Sequence, residues 1–307
     1  MRIFAVYLWQ ICMLITLFFL GTNILIAEEP SFSSRGLLAN LLLPEKTAAS
    51  PRRPTTDEEE QRECTYRSKN EQVQLRHIEG KGIGYNQGYT TIQAFFTPDD
   101  QNYIPMLDLR GHVFDDGKFA ANAGVGLRYL SRWVYGIHAY YDYRQTRHFH
   151  YNQVALGMEM LGKKVDFRIN GYLPIGRKQA IEEVKHQREC ALKGTNAEVG
   201  VHLFKNDTTA LYGALGPYYF EGRGKNAWGG EVRFSATFLE HVRFEVNGSY
   251  DPVFKWIGQG QMSLMYFFGS HKQFKRYSNM SCYNAMALRD RASQWVDRYE
   301  IIVVDGN

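Results

Sequence analysis

Apolar and polar side chains alternate at every second residue, in segments of roughly ten residues, from about residue 84 to residue 268. Because successive side chains of a strand point to opposite faces, this repeat of two predicts strands rather than helices. In the clearest segment, one face carries Trp133, Tyr135, Ile137, Ala139, Tyr141 and Tyr143, and the other carries Gly136, His138, Asp142 and Arg144. Turn residues such as those at 115–117 separate the segments.

Two all-β folds are compatible with this alternation: a transmembrane antiparallel barrel and a secreted soluble β-sandwich that acts as a binding module. The polar faces mix Gly and Ala with Arg, Glu and Asp, which suits a crowded, wet lumen. Aromatic residues stand at both ends of several apolar faces, as Trp133 and Tyr143 do, where two membrane interfaces would lie. About eleven strands are evident, and the residues before Gly88 are expected to begin another, because such barrels have even strand numbers. We therefore predict a transmembrane antiparallel β-barrel of about 12 strands with a short C-terminal helix or tail.

The chain is predicted to divide into four parts. Residues 1–27 resemble a signal peptide, with Arg2, an apolar run and Ala27 before two acidic residues; an uncleaved membrane anchor is the alternative. Residues 28–70 are polar and are expected to form a disordered periplasmic linker. Residues 71–270 are predicted to form the barrel, and 271–307 a lumenal or periplasmic tail. Inside the barrel, the charged stretch 177–194 is expected to be a partly helical loop or lid outside the membrane.

The tail contains a segment of helical composition, residues 284–298. Its apolar residues Ala285, Leu288, Ala292 and Trp295 would share one face. If this helix lay inside the pore, its arginines Arg289, Arg291 and Arg298 would lie near lumen acids such as Glu159 and Asp166. An exposed periplasmic helix is the alternative.

The sequence predicts no catalytic, cofactor-binding or metal site. His148 and His150 are spaced for one face of a strand, but two histidines alone are a weak metal signal, and a loop pair is the interpretation we favour over a metal site. The serines with acidic neighbours lie outside any GxSxG motif, and the glycines at 80, 82 and 84 lack the Lys-Ser/Thr of a phosphate loop; these serines are Ser131, Ser235, Ser249 and Ser263. Outside the signal peptide, Cys64, Cys190 and Cys282 leave disulfide pairing open. The net charge of +4 gives no reason to expect a nucleic-acid partner.

Several stretches resemble the translocator barrel of the inverse autotransporters, the family of intimin and invasin. They are 125–129 (VGLRY), 136–144 (GIHAYYDYR), 156–159 (LGME) and 167–174 (FRINGYLP), in that order. The stretch 298–304 (RYEIIVV) is similar to the segment that follows that barrel. The resemblance covers roughly residues 84–304 and is most specific in the middle.

The resemblance implies a twelve-stranded outer-membrane barrel, an anchor and translocator of type V secretion, whose chain threads back through the lumen. Lipid, the barrel-assembly machinery and periplasmic chaperones are the implied partners, and no cofactor is expected. Because the sequence stops at Asn307, no immunoglobulin-like passenger is expected. The protein is expected not to be an enzyme; a small outer-membrane pore, a lipid-modifying enzyme and the soluble sandwich remain alternatives.

Overall fold

The structure, a computed structural model, describes residues 63–67, 69–98, 102–176, 179–182, 187–206, 208–222, 224–268, 271–275 and 288–306. The predicted signal peptide, most of the predicted linker and Cys282 lie outside these ranges. Within them, no helix is long and apolar enough to cross a membrane.

The described residues form seventeen strands. They are β1 (Glu63–Arg67), β2 (Glu71–Glu79), β3 (Tyr89–Phe96), β4 (Tyr103–Phe114), β5 (Phe119–Leu130), β6 (Val134–Gln145), β7 (His150–Leu161), β8 (Val165–Ile175), β9 (Gln179–Glu182), β10 (Gln187–Ala191), β11 (Lys193–Lys205), β12 (Thr209–Gly222), β13 (Lys225–Phe238), β14 (Val242–Asp251), β15 (Lys255–Phe268), β16 (His271–Lys275) and β17 (Val304–Gly306).

Strands β2–β8 and β11–β15 form one closed antiparallel barrel of twelve strands. The ring closes where β15 pairs with β2, from Gly260 opposite Glu79 to Phe268 opposite Glu71. β8 pairs directly with β11, so the chain between them, including β9 and β10, is an excursion from the wall. The prediction of a twelve-stranded barrel is confirmed, and β2 is the strand expected before Gly88.

The apolar face of the wall points outward. Leu156 is 61% exposed and Val125 is 60% exposed, whereas the inward-facing Arg128 and Asp142 are fully buried. A soluble sandwich would bury its apolar faces between two sheets, so this alternative is wrong. The arrangement instead suits hydrocarbon, where backbone groups find no partner and strands must close into a ring.

Aromatic pairs mark both ends of the barrel. We call the end where β2 begins and β15 finishes the terminal end, and the opposite one the hairpin end. At the terminal end, the rings of Tyr103 and Tyr129 lie 4.9 Å apart. At the hairpin end, Tyr250 and Trp256 lie 5.0 Å apart, as do Tyr219 and Trp228. Amphipathic rings at both rims are typical of a wall that crosses two membrane interfaces.

Two segments differ from the sequence-based expectation. Glu63–Arg67, placed in the disordered linker, forms β1 and pairs with β16, because residues on both sides of the barrel sequence meet at the terminal end. The stretch 177–194 was expected to be partly helical, which is wrong for its described residues. They form the antiparallel pair β9–β10 and the start of β11, since backbone pairing between two strands satisfies the same groups as a helix.

Replacing a lipid-facing leucine at mid-wall with arginine tests the outward orientation. Leu156→Arg is expected to lower the free energy of unfolding by about 2–4 kcal/mol, because a charge at mid-bilayer is poorly solvated. Leu203→Arg, equally exposed but near a strand end, should cost about 0–1 kcal/mol. Denaturant titration in phospholipid vesicles measures both values. Equal losses at the two positions would contradict the placement of the bilayer.

Candidate functional site

The lumen is occupied by the tail of the chain, residues 288–306. The tail enters at the terminal end, where the amide of Gln72 donates to the Ser293 carbonyl at 2.5 Å. It leaves at the hairpin end, where β17 pairs with β10. Of the predicted helix 284–298, residues 284–287 lie outside the described ranges and only 288–292 are helical. The helical prediction is wrong from residue 293 onward, where wall side chains, instead of the tail's own amides, bind several backbone carbonyls.

Near the terminal end, the tail meets the wall through arginines. Arg291 forms an ion pair with Asp166 and donates to the Gly162 carbonyl at 3.2 Å, which confirms the expected contact between a tail arginine and this acid. Glu159, the other acid expected to contact the tail, instead accepts a hydrogen bond from Arg128 of the wall at 2.6 Å. Arg128 in turn donates to the Ala292 carbonyl at 2.8 Å, so Glu159 holds the tail through this arginine.

Asp297 lies between two wall arginines whose strands are separated by two other strands. Its carboxylate is 3.3 Å from the guanidinium of Arg168 in β8 and 3.1 Å from that of Arg233 in β13. Both arginines also bind Glu198, at 3.0 Å and 2.7 Å. A single tail carboxylate thus joins strands that are not neighbours in the wall.

After Asp297, the next two charged residues of the tail, Arg298 and Glu300, also bind wall residues of opposite charge. Arg298 binds Asp142 of β6 with both terminal nitrogens and lies 4.3 Å from the ring centre of Tyr140. Arg298 was expected near Glu159 or Asp166, and its pairing with Asp142 corrects that expectation. The extended chain carries Arg298 deeper into the barrel than a helix of 1.5 Å per residue would.

Glu300 is the most connected carboxylate of the tail. It binds Arg76 of β2 and Arg110 of β4, the latter at 3.0 Å. It also accepts a hydrogen bond from the Tyr89 hydroxyl at 2.7 Å. The tail charges Arg291, Asp297, Arg298 and Glu300 are therefore each matched by opposite charges on the wall.

This matching makes one depth of the tail favourable. Removing one partner of a buried pair leaves an uncompensated charge, which costs about 3–5 kcal/mol. If the tail slipped by one residue, either Arg298 would move to the place of Asp297, beside Arg168 and Arg233, or Asp297 would move to the place of Arg298, beside Asp142. Like charges would meet in both cases. The charges therefore fix the register of the tail more than they add net stability.

At the hairpin end, apolar residues of the tail fill the lumen. Ile302 is fully buried, and Arg144 of β6 donates to its carbonyl. The Leu192 amide donates to the Val303 carbonyl at 2.9 Å. Gly84 has a φ of 78° and lies so close to the tail that a Cβ there would be 2.6 Å from the Val304 nitrogen. A glycine is required at this position both by its backbone conformation and by the tail.

The remaining residues singled out from the sequence are not brought together. His150 stacks on Tyr143 at 6.3 Å at the start of β7, while His148 lies in the preceding turn. In the part of the chain that the structure describes, no group of three or more His, Cys, Asp or Glu could hold a metal ion. Cys190 is buried in β10, and its thiol faces the Ala191 carbonyl at 3.5 Å.

The serines lie apart as well. Ser235 accepts a hydrogen bond from Arg243 at 3.1 Å, and Ser263 accepts one from Gln261 at 3.1 Å. Ser249 lies in β14, and Ser131 lies in the turn between β5 and β6 at the terminal end of the barrel. These positions give no support to a lipid-modifying enzyme.

Sequence reasoning missed Asp297 and Glu300, the acids that join the tail to the wall. A signal was present: 297–300 reads DRYE, with alternating charges directly before the apolar run 301–304 (IIVV). Such a segment suits neither an exposed helix nor a free linker, because its charges need partners when its apolar end is buried.

A family match and one similar fold among the solved structures agree with this geometry. Residues 96–206 match the family model described as the inverse autotransporter beta-domain. The chain is similar in fold to a membrane protein from work on in-meso crystallization, with 13% identity, a TM-score of 0.56, and coverage of 77% of this chain and 100% of that one. An outer membrane channel from Pseudomonas putida F1 has 11% identity and a TM-score of 0.49, covering 64% of this chain and 94% of that one. The KdgM porin has 10% identity and a TM-score of 0.42, covering 64% and 99%. No curated protein matches the chain.

The closed ring, its outward apolar face and the occupied lumen define the class of protein: an outer-membrane β-barrel with an internal segment of its own chain. Within that class, residues 96–206 match the inverse autotransporter beta-domain, the family that the sequence resembles.

Neutralising Glu300 tests the contribution of the tail charges. Glu300→Gln leaves Arg76 and Arg110 without their shared counter-charge, so tail docking should weaken by about 3–5 kcal/mol. Hydrogen exchange of residues 288–306 should accelerate accordingly. Glu221→Gln, which breaks an ion pair with Lys193 at the barrel surface, is the control and should leave this exchange unchanged. Unaltered exchange in Glu300→Gln would show that the charges do not hold the tail.

A pair of glycine variants separates tail contact from backbone strain. Gly84 and Gly117 have nearly equal positive φ, 78° and 80°, but a Cβ at Gly117 meets nothing within 4 Å. Both Gly84→Ala and Gly117→Ala should cost about 1 kcal/mol from the left-handed backbone. Only Gly84→Ala should also expose β17 to exchange, because its methyl group displaces Val304. Equal hydrogen-exchange protection of the β17 amides in the two variants would contradict the prediction.

Proposed function

We propose that the protein is an anchor and translocator barrel of the outer membrane that holds its own tail across the lumen. The observation that carries the proposal is the direction of the tail, which runs from the terminal end at Gln72 to the hairpin end at β10. A chain that enters beside the first barrel strand and leaves at the opposite mouth has crossed the full height of the barrel. The match to the inverse autotransporter beta-domain supports the same function.

The orientation follows from the connections between strands. At the terminal end, the turns between β5 and β6, β7 and β8, and β13 and β14 are only three residues long. The hairpin end carries the longer loop between β2 and β3 and the whole β9–β10 excursion. Outer-membrane barrels have short periplasmic turns and longer extracellular loops. We therefore assign the terminal end to the periplasm and the hairpin end to the cell surface.

The proposed partners follow from this placement. The outward apolar band binds outer-membrane lipid, and insertion of such a wall requires periplasmic chaperones and the barrel-assembly machinery, as the family implies. The role is structural and secretory rather than enzymatic. It rests on the barrel and its tail and does not depend on a passenger.

An epitope tag placed after Asn307 tests the direction of the tail. We expect an antibody to label this tag on intact cells, because β17 ends at the surface mouth. The same tag inserted after Arg132, in the turn between β5 and β6, is the control and should be labelled only after permeabilisation. Labelling of the terminal tag only in permeabilised cells would refute the proposed path.

A further inference from the structure

The lipid-facing side of the wall has a recessed apolar area near the terminal end, which we call the wall groove. Its volume is about 650 Å³, and its lining comes from β4–β8, β11 and β12. Two rows of register partners form it. The rim row runs from β4 to β11 and includes the outward-facing aromatic residues Tyr103, Tyr129, Tyr135 and Phe167. The second row lies two residues deeper and runs from Leu127 of β5 to Ala197 of β11.

The wall groove suits a hydrocarbon chain. The side chains that face it are apolar or aromatic, and its volume lies in the range of about 300–1,000 Å³ that is usual for small-molecule sites. Ala197 lies opposite Ile169 and carries only a methyl group, so the wall is recessed at this point. Glu159 and Glu198 belong to the same strands, but their side chains are buried and point into the lumen.

Two neighbouring turns place positive charge at the open end of the groove. The turn between β5 and β6 contains Arg132, and the turn between β7 and β8 contains Lys163 and Lys164. All three side chains are exposed, and neither turn contains an acidic residue. The two turns are adjacent because β6 pairs with β7.

The charges and the groove lie within the length of one lipid molecule. Tyr129 and Tyr135 are each three residues from Arg132, which is at most about 10 Å along a strand. Trp133 connects the first turn to the groove, since its ring lies 6.4 Å from that of Phe167 at the rim. Aromatic rings of this kind mark the level at which lipid headgroups meet the hydrocarbon. An apolar recess below that level and a basic cluster above it match an acyl chain and a phosphate.

We infer that the wall groove is a binding site for one anionic phospholipid of the periplasmic leaflet, with an acyl chain in the recess and the phosphate beside Arg132, Lys163 and Lys164. The inference rests on the proposed function only for the leaflet, since the terminal end is assigned to the periplasm. Three positive charges without an acid in their turns favour a headgroup of net negative charge over a zwitterionic one.

The test is native mass spectrometry of the purified full chain, released from detergent micelles after incubation with dioleoylphosphatidylglycerol or dioleoylphosphatidylcholine. The two lipids have the same acyl chains, but only phosphatidylglycerol carries a net negative charge. The wild type should retain one phosphatidylglycerol at several-fold higher occupancy than phosphatidylcholine. Lys163→Glu/Lys164→Glu should lose this preference, because each lysine near a lipid surface contributes about fivefold to the affinity for anionic lipid.

Two controls match the variants in chemistry but not in place. Lys81→Glu/Lys255→Glu reverses two exposed charges at the hairpin end and should bind phosphatidylglycerol like the wild type. Ala197→Trp fills the recess and should lower the occupancy of both lipids. Ala123→Trp adds the same indole to an exposed position of β5 outside the groove and should leave both occupancies unchanged.

Heat-modifiable migration on gels identifies folded barrels, and Lys163→Gln/Lys164→Gln replaces the charge reversal if that variant does not fold. Equal occupancy of the two lipids in the wild type would overturn the site, as would equal losses in the charge variants of the two ends. A dimer that excludes lipid and is abolished by Ala197→Trp would overturn it too, because a second copy would then cover the groove. None of these results bears on the tail. Failure of the epitope-tag test would instead refute the proposed function, whether or not the lipid binds.

Discussion

The structure depends on the backbone hydrogen bonds that pair β15 with β2 and close the ring. In hydrocarbon each unpaired backbone group costs several kcal/mol, so an open sheet edge cannot lie there. Closing the ring removes both edges and leaves every wall strand with two neighbours. Closure also divides the side chains into two sets, since the repeat of two sends alternate residues to lipid and to the lumen. The apolar exterior and the charged interior are therefore consequences of one constraint.

The charged interior in turn determines what can occupy it. The wall presents arginines from β2, β4, β8 and β13 and the acids Asp142 and Asp166 toward the axis. An apolar helix would remove the partners that the tail supplies to these groups, at a cost comparable to that of breaking buried ion pairs. The tail instead supplies Arg291, Asp297, Arg298 and Glu300 in the order that the wall requires. The extended backbone after residue 292 adds carbonyl acceptors for Arg128, Arg110 and Arg144.

The wall could be predicted from the sequence because its rule is local. The alternation of Leu107, Asp108 and Leu109 already predicts that the leucines face outward and the aspartate faces the lumen, and the structure agrees. β2 was only inferred, since the glycines at 80, 82 and 84 interrupt the repeat just after it. The tail was harder because its conformation is set by partners far away in sequence: Arg298 meets Asp142, and Glu300 meets Arg76 and Arg110. A composition typical of helices at 284–298 does not contain that information, and tertiary contacts override it.

The position of Glu300 between Arg76 and Arg110 also bears on how the molecule is built. A ring completed before the tail arrived would hold two guanidinium groups, from β2 and β4, aimed at the same point, with the wall carboxylate Asp108 beside only the second of them. Asp297 adds a second carboxylate to Glu198 between the arginines of β8 and β13. The tail thus supplies negative charge where arginines of different strands face one another, and the ring closes most easily when the tail is already inside. Assembly and threading are, on this reasoning, one event.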